Sequence, residues 1–108
     1  MPLKNPPDWP QHIYRLVRQI PPGKVTTYGI LADKVGIRAT SRMVGWAMNA
    51  SHNQTPPVPA HRVVNRNGVL TGRHHFATPT LMQELLEAEG IAIEDHQILN
   101  FESVLYTF

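Results

Sequence analysis

Three of the four residues in the run Pro56-Pro57-Val58-Pro59 are proline. Each lacks a backbone N–H and has a fixed φ, so no helix can pass through this run. The chain must cross it as a stiff, extended segment. Ala60-His61-Arg62 follows, then Val63-Val64, a pair with strand preference, then the turn sequence Asn65-Arg66-Asn67-Gly68. A rigid approach and a short strand at the exit hold residues 60–62 in one place, as a functional site requires. Read alone, the same residues also fit an ordinary proline-rich loop ahead of a hairpin.

Upstream, the pattern is helical. Ile13, Leu16, Val17 and Ile20 recur at i, i+3, i+4 and i+7, with Arg15 and Arg18 off the stripe. Asp8 is placed to cap this helix, Pro10 lies in its first turn, and Pro21-Pro22-Gly23 stops it. Thr27 caps a second helix over about 28–35 that ends at Gly36. After the link Ile37-Arg38-Ala39, Thr40 caps a third over about 41–50. Two short helices joined by a tight, glycine-containing turn make a helix-turn-helix pattern, which by itself is only moderately specific. Val44, Ala47 and Met48 mark the buried face of the third helix, while Arg42, Gly45, Trp46 and Asn49 recur on another. A glycine inside a helix costs about 1 kcal/mol relative to alanine, and close approach to a partner is a plausible return. Residues 51–58 and 71–77 read as loops. Val63-Val64 and Val69-Leu70 read as a small hairpin around Asn67-Gly68. Thr78, with Pro79 at the first helical position, is the expected cap of a last helix with Leu81, Met82, Leu85 and Leu86 on its core face and Gly90 at its end. Residues 91–93 and 98–99 read as short strands, paired as a hairpin. The fold expected is mainly α, a small α+β domain: a helix-turn-helix, winged-helix-like unit with a short β-hairpin, spanning 1–108 as one domain.

Charge is uneven along the chain. Residues 1–73 hold all 10 Lys and Arg against Asp8 and Asp33, a net +8, while residues 74–108 hold six acids and neither base, a net −6. This asymmetry points to one face turned towards a polyanion. There is no cysteine, hence no disulfide and no thiol nucleophile. No apolar run approaches the ~20 residues of a membrane span, and residues 1–6 lack the apolar core of a signal peptide. A cytoplasmic, nucleoid-associated monomer is expected. The six histidines show no metal-ligand spacing beyond the adjacent His74-His75, and no glycine-rich phosphate loop exists, so neither metal nor nucleotide cofactor is expected.

Pro59-Ala60-His61-Arg62-Val63 resembles the active-site motif Pro-Cys-His-Arg-Val of the O6-alkylguanine-DNA alkyltransferases. The likeness extends over about residues 21–90, through Ile20-Pro21-Pro22-Gly23-Lys24-Val25, Thr27-Tyr28-Gly29, Arg42-Met43-Val44-Gly45, Ala47-Met48 and Leu85-Leu86-Glu87-Ala88-Glu89-Gly90. One such match is weak; the ordered set is specific. Ala60 stands where the family has its cysteine, so the chain resembles the alkyltransferase-like branch, which binds alkylated DNA without repairing it.

The resemblance implies roles residue by residue. In the family, a thiolate attacks the alkyl carbon on O6 of guanine, a histidine activates the thiol through water, and a glutamate orients the histidine. His61 and Glu89 match the latter two, a vestigial relay with nothing to activate. Their hydrogen bond would also serve to hold the loop against the last helix. The third helix is implied to enter the minor groove, with Arg42 filling the gap left by a flipped base and Tyr28 pressing on its phosphate. Thr40, Ser41, Gly45, Trp46 and Asn49 complete the implied DNA-binding set. Tyr28, Pro59, Ala60, Val63, Arg73 and His74 make up the implied lesion pocket, with Arg73, where the family has a tyrosine, placed either to meet the flipped purine or to contact a phosphate. Loss of the thiol removes volume, which favours alkyl groups larger than methyl. Two positions depart from the pattern. Trp46 is bulky where the family is small, and either stacks on DNA or covers the core edge. Ser51 replaces an asparagine that braces the loop, and no base is placed to make it a nucleophile. The implied function is a non-enzymatic sensor that flips O6-alkylguanine out of duplex DNA and marks it for nucleotide excision repair proteins. The alternatives are a sequence-specific helix-turn-helix transcription regulator and a transferase with another nucleophile.

Overall fold

The computed structural model describes residues 8–36 and 40–108, so the expectations for residues 1–7 and for the link 37–39 lie outside the described residues. Helix α1 (Trp9–Val17) buries Ile13, Tyr14 and Val17, and Ile20 continues its apolar stripe beyond the helix end. Pro10 lies in the first turn, but Asp8 makes no side-chain cap; its carboxylate lies 3.7 Å from His12 Nε2. Tyr14 donates its hydroxyl proton to the carbonyl of Ala47 at 3.0 Å, tying α1 to the third helix.

The caps of the next two helices are as expected. Thr27 Oγ1 accepts from the N–H of Ile30 at 3.1 Å to begin α2 (Tyr28–Val35), which ends at Gly36 with φ of 70°. Thr40 Oγ1 accepts from the N–H of Met43 at 3.2 Å to begin α3 (Ser41–Asn49). Each such cap is worth about 1 kcal/mol. Helices α1, α2 and α3 pack together around Ile13, Val17, Leu31, Val44 and Ala47.

The expected hairpin at 63–70 is corrected by the structure. Strand β2 (Val63–Val64) pairs instead with β1 (Thr26–Thr27), in parallel, Thr26 opposite Val63 and Thr27 opposite Val64. One rung, Asn65 N–H to Val69 O at 3.1 Å, closes the intervening turn. The next rung cannot form, because Asn65 Oδ1 accepts the N–H of Val69 at 2.8 Å. Val69 bridges Gln97. The one antiparallel hairpin among the described residues is β3 (Ile93–Glu94) with β4 (Gln97–Ile98). Its turn residues Asp95 and His96 have φ of 52° and 63°, both left-handed, as a two-residue turn of type I′ needs. Helix α4 (Leu81–Ala88) starts two residues later than Thr78-Pro79 implied. Its first flanking residue is Thr80, whose hydroxyl donates to Glu84 Oε2 at 2.7 Å, and residues 78–80 form a turn closed by Leu81 N–H to Thr78 O. The last helix, α5 (Phe101–Val104), leads to a bridge between Leu105 and Val25.

The apolar interior is divided in two. One cluster joins α1, α2 and α3 to Ala60 and Val63; the other joins Val25, Val64 and Leu70 to Met82 and Leu86 of α4. Phe76 packs against both.

Candidate nucleic-acid interface

The proline run delivers residues 60–62 into a single 3-10 turn, held by Ala60 N–H to Val58 O at 2.8 Å and Arg62 N–H to Pro59 O at 3.0 Å. Arg18, from the end of α1, donates to the carbonyl of Pro56 at 2.8 Å and staples the run to the helix. Ser51 does not brace this loop: it is buried and donates back to Met48 O at 2.7 Å.

Glu89, just beyond α4, gathers the elements that fix the turn. Its Oε2 lies 2.7 Å from His61 Nε2 and accepts from Arg62 Nη2 at 2.8 Å, while Oε1 accepts the N–H of Gly23 at 3.0 Å. Arg62 Nη1 reaches the carbonyl of Ile20 at 2.8 Å. The His61–Glu89 bond was expected; the part played by Arg62 and Gly23 was not, although Arg62 lies within the motif itself. Burial alone would raise the Glu89 carboxyl, but bonds from Arg62, Gly23 and His61 outweigh it and hold the group at about 2. Burial lowers His61 against the opposing pull of Glu89, so the imidazole is neutral at pH 7 and donates its Nε2 proton to the carboxylate.

Both shifts link stability to pH in the same direction. Glu89 is held well below its ordinary 4.5, so its contribution is complete above that pH and is lost as pH falls towards about 2. His61 is held below its ordinary 6.5, so below that pH the unfolded chain takes up a proton that the folded chain resists. Stability is therefore expected to decline in two stages on acidification. Glu89→Gln should remove the lower stage, worth roughly 3 kcal/mol. Urea unfolding midpoints across the pH range check this; a midpoint unchanged between neutral and strongly acid pH would contradict it.

Behind Ala60 is a small enclosed cavity. Tyr28, Ala60 and Val63 of the implied pocket line it. Pro59, Arg73 and His74 do not. Pro59 faces a shallow groove on which Arg18, His61 and Arg62 also open. Arg73 turns back to donate to Leu70 O at 2.9 Å. In their place stand Gly72 and His75. The reason is local: residues 71–75 form one 3-10 helix, in which positions three apart share a face, so 72 and 75 point together and 73 and 74 elsewhere. A Cβ at Gly72 would come 3.1 Å from the Tyr28 hydroxyl, so a larger residue there crowds Tyr28. The remaining wall is Met48, Asn49, His52, Phe76 and Met82. His52 and Phe76 meet edge to face, with ring centroids 4.9 Å apart.

Along α3, Ser41, Arg42, Trp46 and Asn49 are exposed, with Gly45 half-buried and nothing within 4 Å of where its Cβ would be. Trp46 is 57 % exposed. Thr40 is occupied as the cap of this helix. Tyr28, in the first turn of α2, is half-buried and hydrogen-bonded to Thr71, and burial raises its phenol. Among the described residues, no three His, Asp or Glu side chains converge as a metal set.

Fold and site together define a helix-turn-helix domain of alkyltransferase type, in which a histidine–glutamate pair stands beside a buried methyl in place of a nucleophile. The 6-O-methylguanine DNA methyltransferase, DNA binding domain family matches residues 8–91, and the chain belongs to that family. It is similar to alkyltransferase-like protein 1 of Schizosaccharomyces pombe, 42% identical over 81 residues, covering 75% of this chain and 74% of that one. It is also similar to a methylated-DNA–protein-cysteine methyltransferase of Candida glabrata, 44% identical over 73 residues, but spans only 34% of that protein's length. The crystal structure of S. pombe Atl1 in complex with damaged DNA containing O6-carboxymethylguanine matches the fold with a TM-score of 0.82 at 34% identity, over 95% of this chain and 98% of that one.

Proposed function

We propose that this protein binds O6-alkylguanine in duplex DNA, holds the base flipped into the cavity behind Ala60, leaves the alkyl group in place and so marks the lesion for nucleotide excision repair proteins. The observation that carries this reading is Ala60 itself. The turn that positions an alkyl acceptor is built and latched, with His61 at 2.7 Å from Glu89, but the acceptor is a methyl group. The likeness to a relative seen with O6-carboxymethylguanine DNA supports the lesion as ligand. In this reading Arg42, with Thr40, Ser41, Gly45, Trp46 and Asn49, meets the DNA groove, and Tyr28 presses on the phosphate of the displaced nucleotide. Flipping costs a few kcal/mol, less for a poorly paired, damaged base. The protein works as a monomer in the cytoplasm and needs no cofactor.

The test is a comparison of affinities for duplexes of one sequence carrying guanine, O6-methylguanine or a bulkier O6 adduct. Preference for both adducts is expected. Equal binding to all three, with strong dependence on the surrounding sequence, would favour a transcription regulator instead. Affinity should also fall with salt, by about 0.9 in log–log slope for each phosphate neutralised. A flat salt profile would remove phosphate contact as the main source of affinity.

A further inference from the structure

The cavity as it stands is shut. The space it offers a water-sized sphere is about 10 Å³, room for about one water molecule on that measure. A flipped base and its alkyl group therefore enter only if the walls move. Loss of the thiol does not supply the room, because Ala60 is buried and the space beside it holds about one water molecule.

The walls differ in how they can move. Ala60 and Val63 are stiff, one in the turn latched by Glu89 and the other paired with β1. Asn49, His52 and His75 are exposed and can turn into solvent. The buried, adaptable part is Met48 of α3 and Met82 of α4, 5% and 1% exposed. Methionine is unbranched and has three side-chain torsions, so it refits an irregular space where leucine or valine cannot. The two also sit on opposite sides of a division in the interior: Met48 belongs to the first apolar cluster and Met82 to the second. Opening the cavity between them parts two clusters at their seam and need not break strand pairing.

Building on the lesion reading above, we infer that Met48 and Met82 are specificity-determining residues. Their side chains swing aside to admit O6 substituents larger than methyl, and the range of adducts depends on them and not on space left by alanine.

The experiment compares the wild type with Met48→Leu/Met82→Leu on duplexes carrying guanine, O6-methylguanine or O6-benzylguanine. Leucine keeps nearly the same volume and polarity, and such swaps usually cost under about 1.5 kcal/mol of stability. The double variant should hold O6-methylguanine within about twofold of the wild type and lose O6-benzylguanine about tenfold, the scale on which an apolar pocket discriminates by size. Equal losses on both adducts, or no loss on either, would overturn the inference. A wild type with no preference for either adduct would remove the lesion reading, and this inference with it. In case the double variant fails to fold, methyl-¹³C-methionine NMR of the wild type gives an independent readout from its four methionines. Exchanging the methyl for the benzyl adduct should shift the signals of Met48 and Met82, with Met1 and Met43 as controls. Unmoved Met48 and Met82 signals would overturn the inference as surely.

Discussion

Replacing Arg42 with alanine is expected to weaken binding to O6-alkylguanine DNA roughly a hundredfold, a loss of about 3 kcal/mol, whereas Arg15→Ala should cost no more than about threefold. Both arginines are exposed, and both substitutions remove one positive charge. They differ in where that charge stands. Arg42 begins the exposed face of α3 that carries Trp46 and Asn49. Arg15 lies on α1 beside His12 and Lys34. A flipped base leaves a gap in the stack, and unstacking costs a few kcal/mol that a side chain in the gap offsets. A residue that contributes only charge loses little when removed, and that loss shrinks with salt. Fluorescence anisotropy with lesion and plain duplexes separates the two. Equal losses from both substitutions would reduce Arg42 to one cation among ten.

The second large effect is on repair by another protein. Added to a true alkyltransferase and O6-methylguanine DNA, this protein at about ten times its dissociation constant should slow repair about tenfold by occupying the same base. Its own mass should not change. Candidate acceptors at the site are poor. Ala60 offers a methyl group; Ser51 is 1% exposed and donates its hydroxyl proton to Met48 O. Burial raises the Tyr28 phenol, which therefore remains protonated at neutral pH. His61 is engaged with Glu89. Arg42→Ala should relieve the inhibition, since inhibition requires engagement of the lesion. Mass spectrometry checks the other arm: a gain of one methyl group with loss of the lesion would make the protein a transferase.

The parts of this protein that were legible in sequence are those whose causes are local. Thr27, Thr40 and Gly36 set the limits of α2 and α3 because a cap depends on a side chain and an N–H three residues away, or on one residue's own φ. Val44, Ala47 and Met48 lie inside because helical period alone puts them on one face. The absence of a thiol is a matter of composition, and the motif around Ala60 carries its own neighbours in order. The features that were misread or missed turn on neighbours that the local pattern does not name. Val63-Val64 has strand character, but its partner is β1, 37 residues earlier at Thr26 and Thr27, and no pattern within the strand names it. Tyr14 is buried because Ala47 offers a carbonyl, and Arg62 is held because Glu89 and Ile20 meet it from two other elements. The cavity wall took Gly72 and His75 in place of Arg73 and His74 because a 3-10 turn, not an open loop, sets which side chains share a face. Sequence alone determined α2 and α3, their caps and the thiol missing at position 60, since short-range sterics, hydrogen bonding and composition decide those. Only the tertiary structure decided which side chains close over Ala60, because that depends on how two apolar clusters meet at Phe76.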